Sequence, residues 1–587
     1  MEKQLNNEDI LMYGDFNKVQ IYFIQRWTEL LNINTHSKYA VRYLNAKEAL
    51  KELLYVCKGM VNGDIKKTDA HLKLLYEEIN EVVGKDPVLK KHAVSHSIIM
   101  ENSLKNTPKS SDIGKIYSII YQLEYVLRYL DENYLQWIIQ DLKAKLVNFE
   151  EGVDFDHIDV LMHKLASELI SSGWSLEELH ITVKEKILKH EMTVAEKFET
   201  FFALISSVKK TYVLLFPVKS DLSQEAKINL KNVDFISGNN IIATYADYLL
   251  GSHVSNKKDY IRIIEEAYDV KAVVNFSWQR IAKELDVLKF YGFKLSSIDT
   301  RSIVLHPDKR EYSRNISVSL VSTKQKFTAP RSMMEKVTKQ FEHGKADVNR
   351  KIRNLFEFSR ISEESLSPQS TFLNLWIGIE SFVQTMEHDG GIENVKMVVS
   401  SAATHNYLYS LLKNFLEDCN RCNLEIEVNN RNVKLGQEFP SEAFEIMNSD
   451  EYLEEITTKA NRLNILLGHR YLQLRTILKS GRSSADLLEK HKKNINQHIH
   501  RLYRIRNAIV HSGEVHYNTN LFIKHLNEYI EMTVSVVLHR LEENNEASLE
   551  EVFAQIRDSV EATIETLKNS RHLDLQAYNN LVLKGAF

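Results

Sequence analysis

The sequence contains few of the residues that interrupt helices or cross-link chains. Its 587 residues include only 7 prolines, 19 glycines and 3 cysteines. So little proline and glycine leaves little room for turn-rich β structure or linkers, and we expect a mainly α-helical protein. Cys57, Cys419 and Cys422 are too few for a disulfide scaffold, which fits a reducing compartment.

Long apolar runs are missing as well. No segment approaches the roughly 18 apolar residues of a membrane helix, and the first residues lack the apolar core of a signal peptide. The formal net charge is −4, from 75 Lys and Arg against 79 Asp and Glu, which excludes a basic nucleic-acid coat. We expect a cytoplasmic protein without a membrane partner, in which any nucleic-acid binding comes from a local patch.

Changes in periodicity divide the chain into four predicted parts. They are a helical N-terminal domain (1–207), a small α+β domain (208–335), an all-α bundle (336–545) and a C-terminal helical extension (546–587). In the α+β part, strand-like runs fall at 211–217, 228–235, 271–277, 301–306 and 316–322, with helical patterns at 240–268 and 278–290. Beyond it, helices are expected at 372–383, 393–418, 449–480, 488–512, 519–543 and 547–569.

The stretch Lys490–Gly513 contains no carboxylate. If it is a helix, one face is apolar and another carries a polar stripe. The apolar face comprises Ile495, Ile499, Leu502, Ile509 and Val510, and the stripe comprises Gln497, His500, Arg504, Asn507 and His511. Arg506 projects from the apolar face, where a guanidinium is costly unless it is paired or directed at a ligand.

The residues Arg506-Asn507-Ala508-Ile509-Val510-His511 suit phosphoryl-ester chemistry. An imidazole can move the proton of a ribose 2′-hydroxyl, and a guanidinium can stabilise the charged phosphorane. The basic residues that would attract an RNA backbone are Lys490, Lys492, Lys493, Arg501 and Arg504. A buried Arg–Glu pair with a histidine that caps the helix, followed by Gly513 as a left-handed C-cap, explains the same residues, and the pattern alone leaves both interpretations open.

Other candidate motifs are weaker. Arg301–His306 repeats the spacing, but in a strand-like run residues five apart point to opposite faces. Cys419 and Cys422 have metal-like spacing without a second pair, so we expect ordinary thiols, no metal site and no other cofactor. His92 and His96 share a helix face but lack the adjacent glutamate of zinc proteases, and we expect surface residues.

The segment RLYRIRNAIVHSG (Arg501–Gly513) resembles the signature of the HEPN superfamily, in particular the ApeA-like HEPN proteins, in which an arginine, a polar residue and a histidine occur within Arg-x4-6-His. Phe372–Val383, with its single acid Glu380, looks like the first helix of that family. Leu466–Ser480 looks like the helix before the motif helix. The resemblance covers about residues 345–545.

The resemblance implies a metal-independent endoribonuclease, dimeric or a higher homo-oligomer, with motif helices facing each other. Arg506 would stabilise the transition state, His511 would be the acid–base group, Asn507 would position His511, and Glu380 would orient Arg506. Many such proteins are effectors of bacterial anti-phage defence or toxins. The alternatives are a non-catalytic helical adaptor that binds RNA or a partner protein, and a subunit that a regulatory partner protein triggers.

Helix geometry adds one constraint. Arg506 and His511 are five residues apart, which separates them by about 140° around an ideal helix. Either the helix is distorted before His511 or the site combines residues of two facing chains. We expect the second arrangement, with some distortion near Gly513.

Overall fold

The computed structural model describes residues 5–32, 44–63, 65, 69–147, 154–218, 233–248, 254–292, 298–306, 312–318, 331–365, 367–386, 391–512 and 519–583. The protein is mainly α-helical with small antiparallel sheets, as the scarcity of proline and glycine predicts. Among the helices in these ranges, none is both long and apolar enough to cross a membrane.

Helices fill the first region, as the periodicity predicts. They are α1 (Asn7–Leu11), α2 (Lys18–Leu30), α3 (Ala46–Asn62), α4 (Asp69–Gly84), α5 (Pro87–His92), α6 (Val94–Leu104), α7 (Ile113–Val147), α8 (Phe155–Ser172), α9 (Leu176–Lys186) and α10 (Val194–Ile205). Side-chain caps begin several of them: Asn45 accepts the Glu48 N–H at 2.9 Å, and Ser175 accepts the Glu178 N–H at 3.2 Å. Their apolar faces share one core, which also takes in Ile465 and Leu466 from far along the chain.

A five-stranded antiparallel sheet follows. Its strands are β1 (Lys210–Pro217), β2 (Asp234–Ser237), β3 (Asp259–Ala267), β4 (Arg301–Leu305) and β5 (Tyr312–Ser317), in the order β2-β3-β1-β4-β5. The short helix α11 (Gly238–Thr244) packs on one face, and α12 (Val270–Phe290) covers the other. The strands predicted at 211–217 and 301–306 are confirmed, and those at 228–235 and 316–322 lie partly outside the described residues.

Two predictions in this region are wrong. Residues 271–277 begin α12 instead of forming a strand, because Asp269 accepts the Ala272 N–H at 2.8 Å and the apolar run packs against the sheet. Residues 259–267, inside a predicted helical pattern, form β3, which pairs with β1 on one side and β2 on the other. Tertiary contacts override the local pattern in both places: packing on the sheet in the first, and strand pairing in the second.

Helices resume at Arg331. They are α13 (Arg331–His343), α14 (Ala346–Glu364), α15 (Pro368–Val383), α16 (Gly391–His405), α17 (Tyr407–Arg421), α18 (Pro440–Asn448), α19 (Leu453–Leu463), α20 (Ile465–Lys479), α21 (Gly481–Ser512), α22 (Thr519–Glu543), α23 (Leu549–Asn569) and α24 (Leu575–Tyr578). The helices predicted at 393–418 and 449–480 are each two helices, broken at Asn406 and Asn464.

The structure also contains a β-hairpin that we did not predict, β6 (Glu425–Val428) and β7 (Arg431–Lys434). Its two-residue turn, Asn429-Asn430, has positive φ angles of 50° and 61°. Asparagine is one of the few residues that tolerate this conformation, so the dipeptide was a turn signal in the sequence.

Two cores underlie this second helical region. One joins α14, α15, α16 and α22 to the second half of α21 and the first half of α23. The other joins α17–α20 to the first half of α21 and the second half of α23. The long helix α21 therefore crosses both cores and positions the predicted motif at its end. The predicted domain limits stay predictions, although α23 packs into both cores.

Candidate functional site

The motif lies on α21, a single α-helix that continues through Ser512. Ile495, Ile499, Leu502 and Ile509 are buried, as the predicted apolar face requires. Val510 does not belong to that face, because 49% of its side chain is exposed. The predicted polar stripe is not a solvated surface along its whole length, since Gln497 and His500 are buried against the rest of the protein.

The basic residues in the middle of α21 are held by carboxylates of the N-terminal helices. Arg501, with a side chain only 7% exposed, donates to Glu78 at 2.7 Å and to Glu52 at 3.1 Å. Arg504 donates to the same Glu52 carboxylate, with its Nε at 2.9 Å. Glu52 lies on α3 and Glu78 on α4, so these contacts fasten the N-terminal domain to the motif helix.

The protonation of this cluster reflects its partners. Burial raises the pKa of Glu52, but the guanidinium groups of Arg501 and Arg504 outweigh it and hold that pKa well below the usual range. Burial likewise opposes the charge of Arg501, while Glu52 and Glu78 raise its pKa overall. Glu52 and Arg501 are therefore charged near neutral pH, and the pairing explains how a guanidinium is buried here.

The predicted RNA-binding residues therefore separate into two groups. Arg501 and Arg504 are engaged in the domain contact and cannot reach an RNA backbone in this arrangement. Lys493 pairs with Glu81 at 2.9 Å, and Lys492 pairs with Glu561 at 3.3 Å, both near the surface. Lys490 is exposed and forms no ion pair with any described residue. The sequence alone could not reveal these partners, because Glu52, Glu78 and Glu81 lie more than 400 positions before the arginine or lysine that each one contacts.

Arg506 has a different environment. Its side chain is half-buried, and its Nη1 donates to Oδ1 of Asn507 at 3.0 Å. Its Nε is buried and has no hydrogen-bond partner among the described residues. No described carboxylate pairs with this guanidinium, so the interpretation of Arg506 as half of a buried Arg–Glu pair has no support among the described residues.

Glu380, for which the resemblance implies a role in orienting Arg506, contacts other groups among the described residues. It lies on α15, where its carboxylate accepts the indole N–H of Trp376 at 3.1 Å. The same carboxylate lies against Gly391, the first residue of α16, where a Cβ would have no room and the helix dipole favours a negative charge. No described contact joins Glu380 to Arg506. Trp376 of α15 packs on Tyr503 of α21, with ring centroids 5.9 Å apart, and this contact links the two helices.

His511 is exposed in the last turn of α21. Because α21 remains an α-helix through Ser512, the distortion considered before His511 is absent from the described residues. Arg506 and His511 of one chain therefore diverge by about 140°. The proposed cap Gly513 lies outside the described residues.

The remaining candidates lie in other elements of the structure. Arg301 lies on β4 and pairs with Asp299 at 3.0 Å, as expected for a strand residue unrelated to the motif. Cys419 and Cys422 are buried in the second core with free thiols. Within the residues that the structure describes, no group of three or more His, Cys, Asp or Glu side chains is arranged to hold a metal ion. His92 and His96 are partly buried in aromatic stacks.

Comparisons with family models, curated proteins and solved structures find no match to this chain.

Proposed function

We propose that this protein is a metal-independent endoribonuclease of the HEPN type, with Arg506, Asn507 and His511 in its active site. The environment of Arg506 is the observation that carries the proposal. Among the described residues, its half-buried guanidinium has only a neutral amide as a partner, and its Nε–H has no acceptor. A cation in this state is available for an anionic ligand such as a phosphate.

The three side chains have complementary roles in cleavage. A ribose 2′-hydroxyl attacks the adjacent phosphorus while the His511 imidazole takes its proton. Arg506 stabilises the negative charge that develops on the phosphorane, and Asn507 holds the guanidinium. The bond to the 5′-oxygen then breaks, and that oxygen receives a proton. The products are a 2′,3′-cyclic phosphate and a 5′-hydroxyl end, and no step requires a metal ion.

We further propose that the active site combines two chains. A continuous α21 directs Arg506 and His511 apart, so Arg506 of one chain and His511 of its partner would converge on one phosphate. The half-exposed Val510 beside His511 supports this arrangement, because an apolar side chain at a helix end gains by burial in an interface.

The test is RNA cleavage by purified Arg506→Ala and His511→Ala proteins in EDTA. We expect each substitution to lower the rate by roughly 10²–10⁴-fold, the usual contribution of a positioned acid–base or charge-stabilising group. His572→Ala removes another exposed histidine and serves as the matched control, with a rate equal to wild type. Two folded variants that cut RNA at the wild-type rate would refute the proposal.

Two further observations test its cellular and chemical parts. Induction of the wild-type protein should arrest growth and degrade RNA, as a toxin or anti-phage effector would, whereas the His511→Ala protein should not. RNA binding without cleavage, unchanged in both variants, would instead identify a non-catalytic adaptor. Loss of cleavage in EDTA alone would contradict a metal-independent reaction.

A further inference from the structure

A regular line of exposed tyrosines runs along α7 of the N-terminal domain. We call Tyr117, Tyr121, Tyr125 and Tyr129 the tyrosine ladder. They are 45%, 69%, 59% and 36% exposed. The opposite face of α7 supplies its own buried residues to the core, so packing within the domain does not require these four rings. An exposed aromatic row of this kind indicates a binding surface.

The spacing of the ladder is set by the helix. Successive rungs are four residues apart, which corresponds to about 6 Å along the axis and about 40° around it. A planar base inserted between two rings would need about 7 Å, twice the stacking distance of 3.4 Å along a nucleic-acid strand. The two lengths are close enough for side-chain rotation to accommodate the difference.

Two rings of the ladder already stack on a planar heterocycle. The His96 imidazole from α6 stacks on Tyr129, at 4.1 Å between ring centroids and 11° between planes, and on Tyr125, at 5.5 Å and 22°. Rings of the ladder are therefore positioned so that the face of a planar heterocycle can stack on them.

The charges around the ladder suit a polyanion. From Pro87 to Leu130 the sequence has six Lys and Arg residues but only three carboxylates. Two of those carboxylates are neutralised, Asp112 by Lys115 at 3.3 Å and Glu124 by Lys58 at 2.7 Å. Two exposed cations, Lys90 and Arg128, form no ion pair with described residues, and a third, Lys109, lies near Asp69 and helps to lower the pKa of that carboxyl. Glu132, just beyond Tyr129, is the exposed carboxylate that opposes this trend.

We propose that the tyrosine ladder binds single-stranded nucleic acid, with bases stacked between its rungs and phosphates near the flanking cations. Base stacking on aromatic rings beside cations is the usual means of binding single strands without sequence preference. A duplex would not bind in this way, because its bases are already stacked on each other. This role also provides a strand-binding surface that the middle of α21 lacks, since Arg501 and Arg504 are committed to Glu52 and Glu78.

The inference relies on the proposed ribonuclease function only for the choice of RNA as the natural strand. A DNA probe separates the two ideas, because it lacks the 2′-hydroxyl that cleavage requires. Fluorescein-labelled 12-nucleotide single strands of DNA and of 2′-O-methyl RNA, and a DNA duplex, are titrated with the full-length protein, and anisotropy is measured. Both single strands should bind, the duplex should bind more weakly, and added salt should weaken binding.

Substitutions then locate the surface. Tyr121→Ala should weaken single-strand binding at least about fivefold, the lower end for loss of one aromatic stack, whereas Tyr121→Phe should stay within about twofold of wild type. Tyr291→Ala removes an equally exposed tyrosine outside the ladder, and its affinity should equal that of wild type. Tyr121→Ala should fold normally, because the ring is exposed and alanine favours helix.

Three results would overturn the proposal. They are no binding of either single strand, equal affinities for Tyr121→Ala and Tyr291→Ala, and a self-association of the wild-type protein that Tyr121→Ala abolishes while strand binding persists. The last result would identify the ladder as a contact between protein chains. Loss of RNA cleavage in His511→Ala, with strand binding intact, would leave the ladder supported and test only the proposed active site.

Discussion

The middle and the end of α21 look alike in sequence but differ in the structure. Both are basic and free of carboxylates. In the middle, Arg501 and Arg504 are enclosed by Glu52 and Glu78 of the N-terminal domain. At the end, Arg506 contacts a neutral amide and His511 is exposed. A positive charge therefore indicates a ligand site only when no carboxylate elsewhere in the chain already neutralises it.

The two regions also respond differently to substitution, because one arginine is buried with two partners and the other is not. Arg501→Ala leaves Glu52 and Glu78 without a shared partner, and we expect it to lower the free energy of unfolding by roughly 3–5 kcal/mol. Arg506→Ala should change it by about 0.5 kcal/mol or less. Urea denaturation followed by circular dichroism measures both. Equal losses of stability would remove the distinction between the two regions.

Acid should weaken the contact between the middle of α21 and Glu52. The folded pKa of Glu52 lies below its unfolded value, so its contribution to stability is complete above about pH 4.5 and is lost as the pH falls through the folded pKa. At pH 7, Glu52→Gln should cost about 1.5–3 kcal/mol, the range for hydrogen bonds to charged groups. The difference between wild type and Glu52→Gln should shrink between pH 4.5 and 2. A difference that grows with acid would contradict the assigned pairing.

Substitution of the surface cations of α21 should have the smallest effect on stability. Lys493 pairs with Glu81 near the surface, and such pairs contribute about 0–1 kcal/mol. Lys493→Ala should therefore change stability by less than about 1 kcal/mol, and the change should disappear in 1 M salt. Thermal unfolding at low and high salt measures it. A loss as large as that of Arg501→Ala would mean that the whole basic flank, and not its buried middle, fastens the N-terminal domain.

The sequence predicted much of the local structure and little of the pairing. The acid-free helix, its buried isoleucines and the apolar helix around Trp376 followed from periodicity. The partners of Arg501 could not be predicted from periodicity, because they depend on packing between segments more than 400 residues apart. For the same reason Glu380, expected beside Arg506, turned out to accept from Trp376. Strand β3 was missed because its pairing on both sides, and not its local pattern, decides its structure.

The tyrosine ladder was visible in the sequence as four tyrosines at four-residue intervals. Periodicity alone assigns such residues to a helix face without distinguishing a core from a surface. Burial of the opposite face of α7 and exposure of the four tyrosine rings are what identify the ladder as a surface.

The most direct test mixes the two inactive variants. Arg506→Ala and His511→Ala proteins are each assayed for RNA cleavage, then mixed in equal amounts, allowed to exchange subunits and assayed again. If each site takes Arg506 from one chain and His511 from its partner, half of the dimers are mixed and each has one intact site, so the mixture should recover about a quarter of wild-type activity. Full activity of either variant alone would contradict the assignment of the site, and no recovery in mixed dimers would contradict its composite construction.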